Sequence, residues 1–379
     1  MPVVRAALDH FEAHVDEIVA RTVAVQQIPA PTFFEEARAG FIRAEFDRLE
    51  LKDVQQDALH NVYGRFPGRG GAERLQPIVV SAHSDTVFGA ETDLTVRHNG
   101  DKVYGPGIAD NSLGVAALLT LVETLHAQDL QPERDIWFVA NVGEEGLGDL
   151  RGMRAVVDRL GDADAYIVLE GGLFGYICHQ AIGVRRYRIR AQTPGGHSWG
   201  AFGTPSATHV LGRLIAALDS LDVPADPKTT YNVGVISGGT AINAIARNAE
   251  MQLDLRSEDP AALAEVISQV EALVAELDAQ EDVHVTMEVI GDRPPGEIAR
   301  DHPLVSEAVN ALKAMGEEEV EFTMGSTDAN VPLHRNLPAV CIGLTRSGNS
   351  HRPDEYMELG PLPRGMGQAL LLLLSAADL

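Results

Sequence analysis

Four short apolar runs, each leading into a residue that can bind a cation, constrain this chain more than any other feature. Pro77-Ile-Val-Val80 runs into Ser81-Ala-His83-Ser-Asp85-Thr, and Ile136-Trp-Phe-Val-Ala140 runs into Asn141-Val-Gly-Glu144-Glu145-Gly-Leu-Gly-Asp149. Ala165-Tyr-Ile-Val-Leu169 ends in Glu170-Gly-Gly172, and Ala339-Val-Cys-Ile-Gly-Leu344 is followed by Gly348-Asn-Ser-His351. Runs this short, continuous and rich in branched and aromatic residues read as buried strands. Helix-period segments between them predict an α/β fold with a mostly parallel sheet flanked by helices. In such a sheet the carboxyl ends of the strands gather along one rim, which is where ligands bind.

Each residue at that rim has a plainer alternative when taken alone. Glu144 and Glu145 sit between glycines, as a solvated loop would in an acidic protein. His83 is either structural or a ligand; Asp85, two residues on, can fix its tautomer and orientation. Asp110, in Tyr104-Gly-Pro-Gly-Ile-Ala-Asp110-Asn-Ser-Leu-Gly114, opens an apolar helix over Val115–Leu125 and is either a helix cap or a further ligand. Together, imidazole and carboxylate donors without cysteine suit catalytic zinc, cobalt or manganese rather than a structural zinc site. His83, Asp110, Glu170, His351 and the Glu144-Glu145 pair, counted as one place, make five candidates, too many for one catalytic ion and suited to two ions that share a carboxylate.

The 180 residues between Glu170 and His351 hold a second rhythm. Strands at 184–193, 229–237, 249–256 and 283–290, with helices at 206–221 and 260–277, give the order βαββαβ of a ferredoxin-like α+β unit. We therefore expect an inserted domain at 184–292, with residues 1–183 and 293–379 forming the other domain. At 379 residues the chain is long enough for two cores. Helices are expected over 3–26, 33–50, 150–160 and 302–315.

Composition serves mainly to exclude. With 30 basic and 55 acidic residues the formal charge is −25, which argues against nucleic acid or an anionic membrane as partner. The longest apolar stretches, near Leu113–Leu121 and Ala369–Ala377, are short for a bilayer span, and no secretory signal is visible, so a cytoplasmic protein is expected. Cys178 and Cys341 lie within apolar runs and are expected as buried thiols in a reducing compartment. His10 and His14 lack the glutamate directly after the first histidine that a zinc helix needs; that position is Phe11. Pro67-Gly-Arg-Gly-Gly71 lacks a phosphate loop's Lys-Ser/Thr ending and reads as a turn. His334 has no supporting pattern and is expected to be structural.

The ordered set His83-Ser-Asp85, Gly105-Pro-Gly-Ile-Ala-Asp110-Asn, Gly143-Glu144-Glu145-Gly, Leu169-Glu170-Gly, Gly195-Gly-His197-Ser and Ser350-His351-Arg resembles the co-catalytic zinc peptidase family. That family includes glutamate carboxypeptidase, tripeptide aminopeptidase, acetylornithine deacetylase and succinyl-diaminopimelate desuccinylase. The resemblance spans nearly the whole chain. It implies a zinc-exopeptidase-like catalytic domain with two zinc ions per subunit, and an insert that acts as lid and dimerisation domain of a homodimer. His83, Asp110 and Glu170 resemble the ligands of one ion, with Asp110 bridging to a second completed by Glu145 and His351. Asp85 corresponds to the support of His83, and Glu144 to a general base acting on a metal-bridging water. The Asp110–Asn111 peptide is expected cis.

His197 resembles the residue that stabilises the oxyanion, reaching the partner's site in dimeric relatives. Asn243, in Gly239-Thr-Ala-Ile-Asn243, and Arg256, in Asp254-Leu-Arg256-Ser, resemble substrate contacts. Arg256 suits a substrate carboxylate, or else caps acidic neighbours. Asp328, in Gly325-Ser-Thr-Asp328-Ala, is read as lying behind the ligands or facing substrate. The implied activity is amide hydrolysis of a small peptide by an exopeptidase. Deacylation of N-acyl amino acids and a non-hydrolytic metal-binding role are the alternatives.

Overall fold

The computed structural model describes residues 2–70 and 75–379; Gly71, the last residue of the glycine cluster, lies outside the described residues. Two compact units result: Met1–Ala181 together with Gly296–Leu379, and Ile182–Pro295.

The first unit is built on a nine-stranded mixed sheet. At its centre Ile136–Asn141, Ile78–His83, Ala165–Glu170 and Ala339–Gly343 lie side by side and mutually parallel. These are the four expected strands. Ile78 pairs with Ile136 on one side and with Ala165 on the other, so the strands run level and their carboxyl ends reach one rim. From Ile78–His83 the chain moves to Ile136–Asn141 on one side, then crosses back to Ala165–Glu170 on the other. That reversal is the kind of switch point at which open α/β sheets form a crevice.

Antiparallel strands extend the sheet at both margins. Val62–Phe66 pairs with Ile136–Asn141, and Lys52–Gln56 lies beyond it. On the far side Tyr176–Ala181 runs antiparallel to Ala339–Gly343, and Glu321–Gly325 pairs parallel with it. Cys178 and Cys341 are free, buried and directly opposite each other in this pairing.

Helix Gly114–Ala127 is buried almost all round because Val115–Val122 contains no charged residue. It packs against Val15–Gln26 and Leu362–Ala376. Among the described residues, Ile108–Ala127 is the one helical stretch long and apolar enough to cross a bilayer. Contrary to the expectation of a shorter run, it spans 20 residues, and 89% of its apolar window is buried inside the protein.

Other departures from the sequence reading have local causes. The helix expected over 3–26 is two helices, Pro2–Ala13 and Val15–Gln26, broken at His14 (φ −124°, ψ 34°). There the His14 ring stacks on His10 at 3.9 Å and its Nδ1 lies 2.9 Å from the His10 carbonyl. Strands Tyr176–Ala181 and Glu321–Gly325 escape a hydrophobic reading because each mixes polar residues into a short run.

The second unit is a four-stranded antiparallel sheet in the order Thr229–Gly238, Asn248–Ser257, Gly183–Gln192, His284–Arg293. Helices Ala207–Leu218 and Pro260–Asp278 share one core with Tyr187, Ile189, Met251, Leu253 and Leu255. Strand alternation turns Arg186, Arg188 and Arg190 to the other face, where they pair with Asp254, Glu250 and Glu288. This is the expected ferredoxin-like arrangement.

One close approach fixes the rim. Asn111 Nδ2 donates to the Leu169 carbonyl (2.8 Å), and its Oδ1 accepts from the Gly171 amide (3.0 Å). A methyl on Gly171 would run into the Ala109 carbonyl. Gly171→Ala should therefore destabilise the protein by about 1–3 kcal/mol, the usual range for overpacking. The denaturant midpoint measures this, and a wild-type midpoint would mean that the two segments have room to part.

Candidate metal centre

The rim brings His83, Asp110, Glu144, Glu145, Glu170 and His351 together. His83, at the end of the central strand, is 2% exposed. Its Nε2 faces Asp110 Oδ1 (3.1 Å) and Glu170 Oε2 (3.8 Å), while its Nδ1 faces Asp85 Oδ1 (3.5 Å). Asp110 follows Gly107, whose left-handed φ of 65° starts the irregular turn, and the Asp110–Asn111 peptide is cis. The second Asp110 oxygen lies 3.2 Å from His351 Nε2, which is also 3.3 Å from Glu145 Oε1. Asp110 thus has an imidazole on each oxygen. Two sets of three donors, His83–Asp110–Glu170 and Asp110–Glu145–His351, each fall within 4.8 Å, and so does His83–Glu144–Glu145.

Asp85 binds this arrangement together. It is fully buried and accepts from the Glu144 amide (3.0 Å), the Glu145 amide (3.1 Å) and the Thr32 hydroxyl (2.8 Å). One carboxylate therefore positions the His83 ring and the backbone of both glutamates. The buried Arg38 guanidinium donates to the Ser84 carbonyl at 2.8 Å, and burial lowers its pKa to about 10 against the pull of Asp85. Glu355 accepts from the amides of Ala109 and Asp110, both at 2.9 Å, and so fixes the turn that carries Asp110.

Thr32, Arg38 and Glu355 are not singled out by the sequence, which marks Asn111 only for its peptide bond to Asp110. Only Arg38 carries a signal there: it stands on the same four-residue stripe as the buried Ile42 and Phe46, an odd place for an arginine on an amphipathic helix.

Charge is the dominant problem at the rim. Burial pushes Glu170 up to about 7 and raises Glu145. Asp110 resists burial because His351 and His83 hold it well below the usual carboxylate range. Asp110 and Glu145 in turn lift His351 to about 10. Burial opposes a charge on His83, but Asp110, Asp85 and Glu170 outweigh it and raise its pKa well above normal. The ion-pair partners of Asp110, Glu145 and Glu170 are histidines. Crowded, half-buried carboxylates are costly without compensating positive charge. With imidazole nitrogens and carboxylate oxygens alone within reach, this donor set fits divalent cations.

Asp328 is not placed to touch a substrate. Its side chain is fully buried and accepts from Asn141 Nδ2 at 2.7 Å, because the loop before Ala339–Gly343 tucks it behind the strand end that precedes Glu144. Burial and Glu144 push it up to about 8. Among the described residues, Asp328 Oδ1 and Asn141 Oδ1 are buried without a partner.

His197, Asn243 and Arg256 belong to the Ile182–Pro295 unit. His197 is exposed and pairs in a short ladder with Ala244. Its Nδ1 accepts from the amides of Trp199 (3.2 Å) and Gly200 (3.3 Å), so the neutral ring carries its proton on Nε2. Asn243 is exposed and accepts through its carbonyl from the Ser198 amide. The Arg256 guanidinium is already engaged by its neighbour Asp254, at 2.7 Å from Nε; this is the capping alternative, arising because residues two apart on a strand share a face.

A sheet rim bearing two donor triads that share a carboxylate defines a metal-dependent hydrolase site. Residues 79–374 match peptidase family M20/M25/M40, most of the chain, and the protein belongs to that family. A peptidase M20 domain-containing protein of Schizosaccharomyces pombe is 27% identical over 333 residues, 86% of this chain and 74% of the relative. Carboxypeptidase G2 of Pseudomonas sp. is 24% identical, covering 89% of this chain and 83% of its own. Among solved structures, a tripeptidase from Staphylococcus aureus superposes with a TM-score of 0.79 at 20% identity over 97% of this chain and 99% of the other. The chain is a family M20 metallohydrolase, and the family uses metal ions.

The raised carboxylates and histidines hold protons that an arriving cation must displace. Cation affinity should therefore rise with pH between about 6 and 8, with net proton release in calorimetric titrations run in buffers of different ionisation enthalpy. Affinity independent of pH would contradict the raised pKa values of Glu170 and His351. Removing the Glu355 carboxyl should weaken cation binding by about 10–100-fold, the usual effect of losing an outer-shell partner. Glu355→Gln keeps an acceptor oxygen and should bind like wild type; equal loss in Glu355→Ala and Glu355→Gln would show that charge, not the two amide bonds, matters.

Proposed function

We propose that this protein is an exopeptidase that hydrolyses an amide bond of a small peptide. Two divalent cations, zinc foremost with cobalt or manganese as substitutes, would be held by His83, Asp110 and Glu170 and by Asp110, Glu145 and His351. The observation that carries the reading is the placing of one imidazole on each oxygen of Asp110. A single catalytic zinc keeps three protein ligands and an open position; five donors sharing one carboxylate suit a pair of ions. When bound, such ions polarise the scissile carbonyl and acidify water.

The other tasks fall to the chain's own residues. Glu144, its backbone tied to Asp85, takes a proton from the attacking water and passes it to the leaving amine. Asp85 keeps the His83 ring oriented, as outer-shell carboxylates do. His197 donates from Nε2 to the oxyanion; its Nδ1 is already satisfied by backbone amides. Asn243 contacts substrate, and Arg256 would take a free substrate carboxylate by exchanging its bond to Asp254 for it. We assign the insert the further roles of lid and dimer surface. The relatives named carboxypeptidase and tripeptidase support a peptide substrate, and the acetylornithine deacetylases among the relatives keep an N-acyl amino acid as the alternative.

Glu144→Gln tests the assignment. Metal content should match wild type while turnover on a dipeptide, tripeptide and N-acyl amino acid panel falls by at least about 100-fold. Near-wild-type turnover would remove Glu144 from the role. Cleavage of N-acyl amino acids alone would favour the deacylase, and bound metal without cleavage of any amide would favour a non-hydrolytic protein.

A further inference from the structure

The loop that carries Glu144 and Glu145 is strained and closed on itself. Gly143, Gly146, Asp149 and Leu150 all have a left-handed φ, between 50° and 68°. Asp149 and Leu150 hold that conformation without being glycine, and such strain tends to collect at functional sites. The Leu150 amide donates to the Gly143 carbonyl at 2.8 Å and the Gly152 amide to the Val142 carbonyl at 3.0 Å, which brings Arg151 back to the start of the loop. A Cβ on Gly143 would lie 2.6 Å from Arg151 Nη1, 2.8 Å from its Cγ and 2.9 Å from its Cζ. The arginine side chain therefore lies along Gly143, the residue before Glu144.

A carboxylate from far upstream holds Arg151 in that place. Glu35 is fully buried, and its Oε1 accepts from Arg151 Nη2 (2.6 Å) and from the Phe33 amide (3.0 Å). The guanidinium also lies 4.4 Å from the centre of the Phe33 ring. The ion pair is only half closed. Among the described residues, Arg151 Nη1 and Glu35 Oε2 are both buried without a hydrogen-bond partner. A guanidinium and a carboxylate can close two parallel bonds, and a buried bond left unmade is costly. An orientation set by the ion pair alone would make both; this one turns Nη1 against Gly143 instead.

We infer that Arg151, anchored by Glu35, is a positioning residue for Glu144: it fixes the turn at Gly143 from which the base reaches the attacking water. This rests on the reading of Glu144 as the general base. Two supports then bracket that residue. Asp85 accepts from the Glu144 amide at 3.0 Å, and Arg151 braces the residue before it. Both supports are tied to one short segment, because the Thr32 hydroxyl binds Asp85 and Glu35 binds Arg151. Proton transfer tolerates little misplacement of the base, so a loosened turn at Gly143 lowers the rate and leaves substrate binding alone.

The test measures kcat, KM and zinc content of the zinc-loaded full chain on the dipeptide, tripeptide or N-acyl amino acid that the wild type cleaves fastest. Arg151→Ala should lower kcat by about 10–100-fold, with KM within about three-fold and zinc content unchanged. Glu35→Gln keeps an oxygen for Nη2 and should lose less than Glu35→Ala. In a Glu144→Gln background the Arg151 change should add no more than about a three-fold fall, because groups that act through one another are not additive. Arg151→Lys keeps the charge but not the planar group; should Arg151→Ala fail to fold, it is expected to show the same pattern in both backgrounds. Equal falls in both backgrounds, or lost zinc, would make Arg151 a general prop of the site and overturn the proposal. Wild-type kcat in the Arg151 variants overturns it too. A Glu144→Gln variant as active as wild type would instead defeat the base, and its positioning residue with it.

Discussion

Everything at the rim follows from the cost of gathering carboxylates where water is scarce. Asp85, Asp110, Glu144, Glu145 and Glu170 converge on a crevice where, among the described residues, two imidazoles face the carboxylates and the Arg38 guanidinium lies behind Asp85. A charge moved from water into such surroundings must be paired, neutralised or bound to a cation, and the site uses all three. Asp85 is satisfied by two amides and a hydroxyl, Asp110 by two histidines, and Glu170 tends to hold its proton. Metal ions, which the family uses, would complete the balance, and the gathered negative charge is what would recruit them.

The backbone serves that device by register. Four parallel strands begin level, so each delivers its last residues to the same line, and a single reversal of strand order opens the crevice there. The turn carrying Asp110 must then be pinned from two directions. Asn111 ties it to the end of Ala165–Glu170, and Glu355 ties it to the loop that carries His351. Candidate ligands from distant parts of the sequence thereby share one rigid frame, as a centre with little tolerance for misplacement requires.

How much of this was legible beforehand depended on the range of the interactions involved. The four central strands could be read because each is a continuous apolar run ending in a chemically informative residue. Tyr176–Ala181 could not, since His179 and Gln180 dilute its pattern although the strand lies inside the sheet. The cluster residues stood out by type and order, but which oxygen of Asp110 faces which histidine is a three-dimensional fact. Thr32 and Glu355 left no trace because their roles are contacts across 53 and 245 residues or more. For Asp328 the sequence leaves two places open, behind the ligands or facing substrate, and its burial against Asn141 fits the first. Arg256 likewise depended on Asp254, two positions away, and a strand's shared face made them partners before any ligand.

Arg38 carries a consequence for where the functional unit begins. The stretch that matches the family starts at residue 79, yet the guanidinium holding the Ser84 carbonyl and the hydroxyl held by Asp85 both come from upstream of it. The amino-terminal helices are thus part of the active centre's architecture rather than a leading appendage. An excision drawn at the homology boundary would remove the struts from beneath His83 and Asp85 while leaving every proposed metal ligand in place. Ligand identity marks where the chemistry happens; the buried cation on a distant helix marks how much chain that chemistry requires.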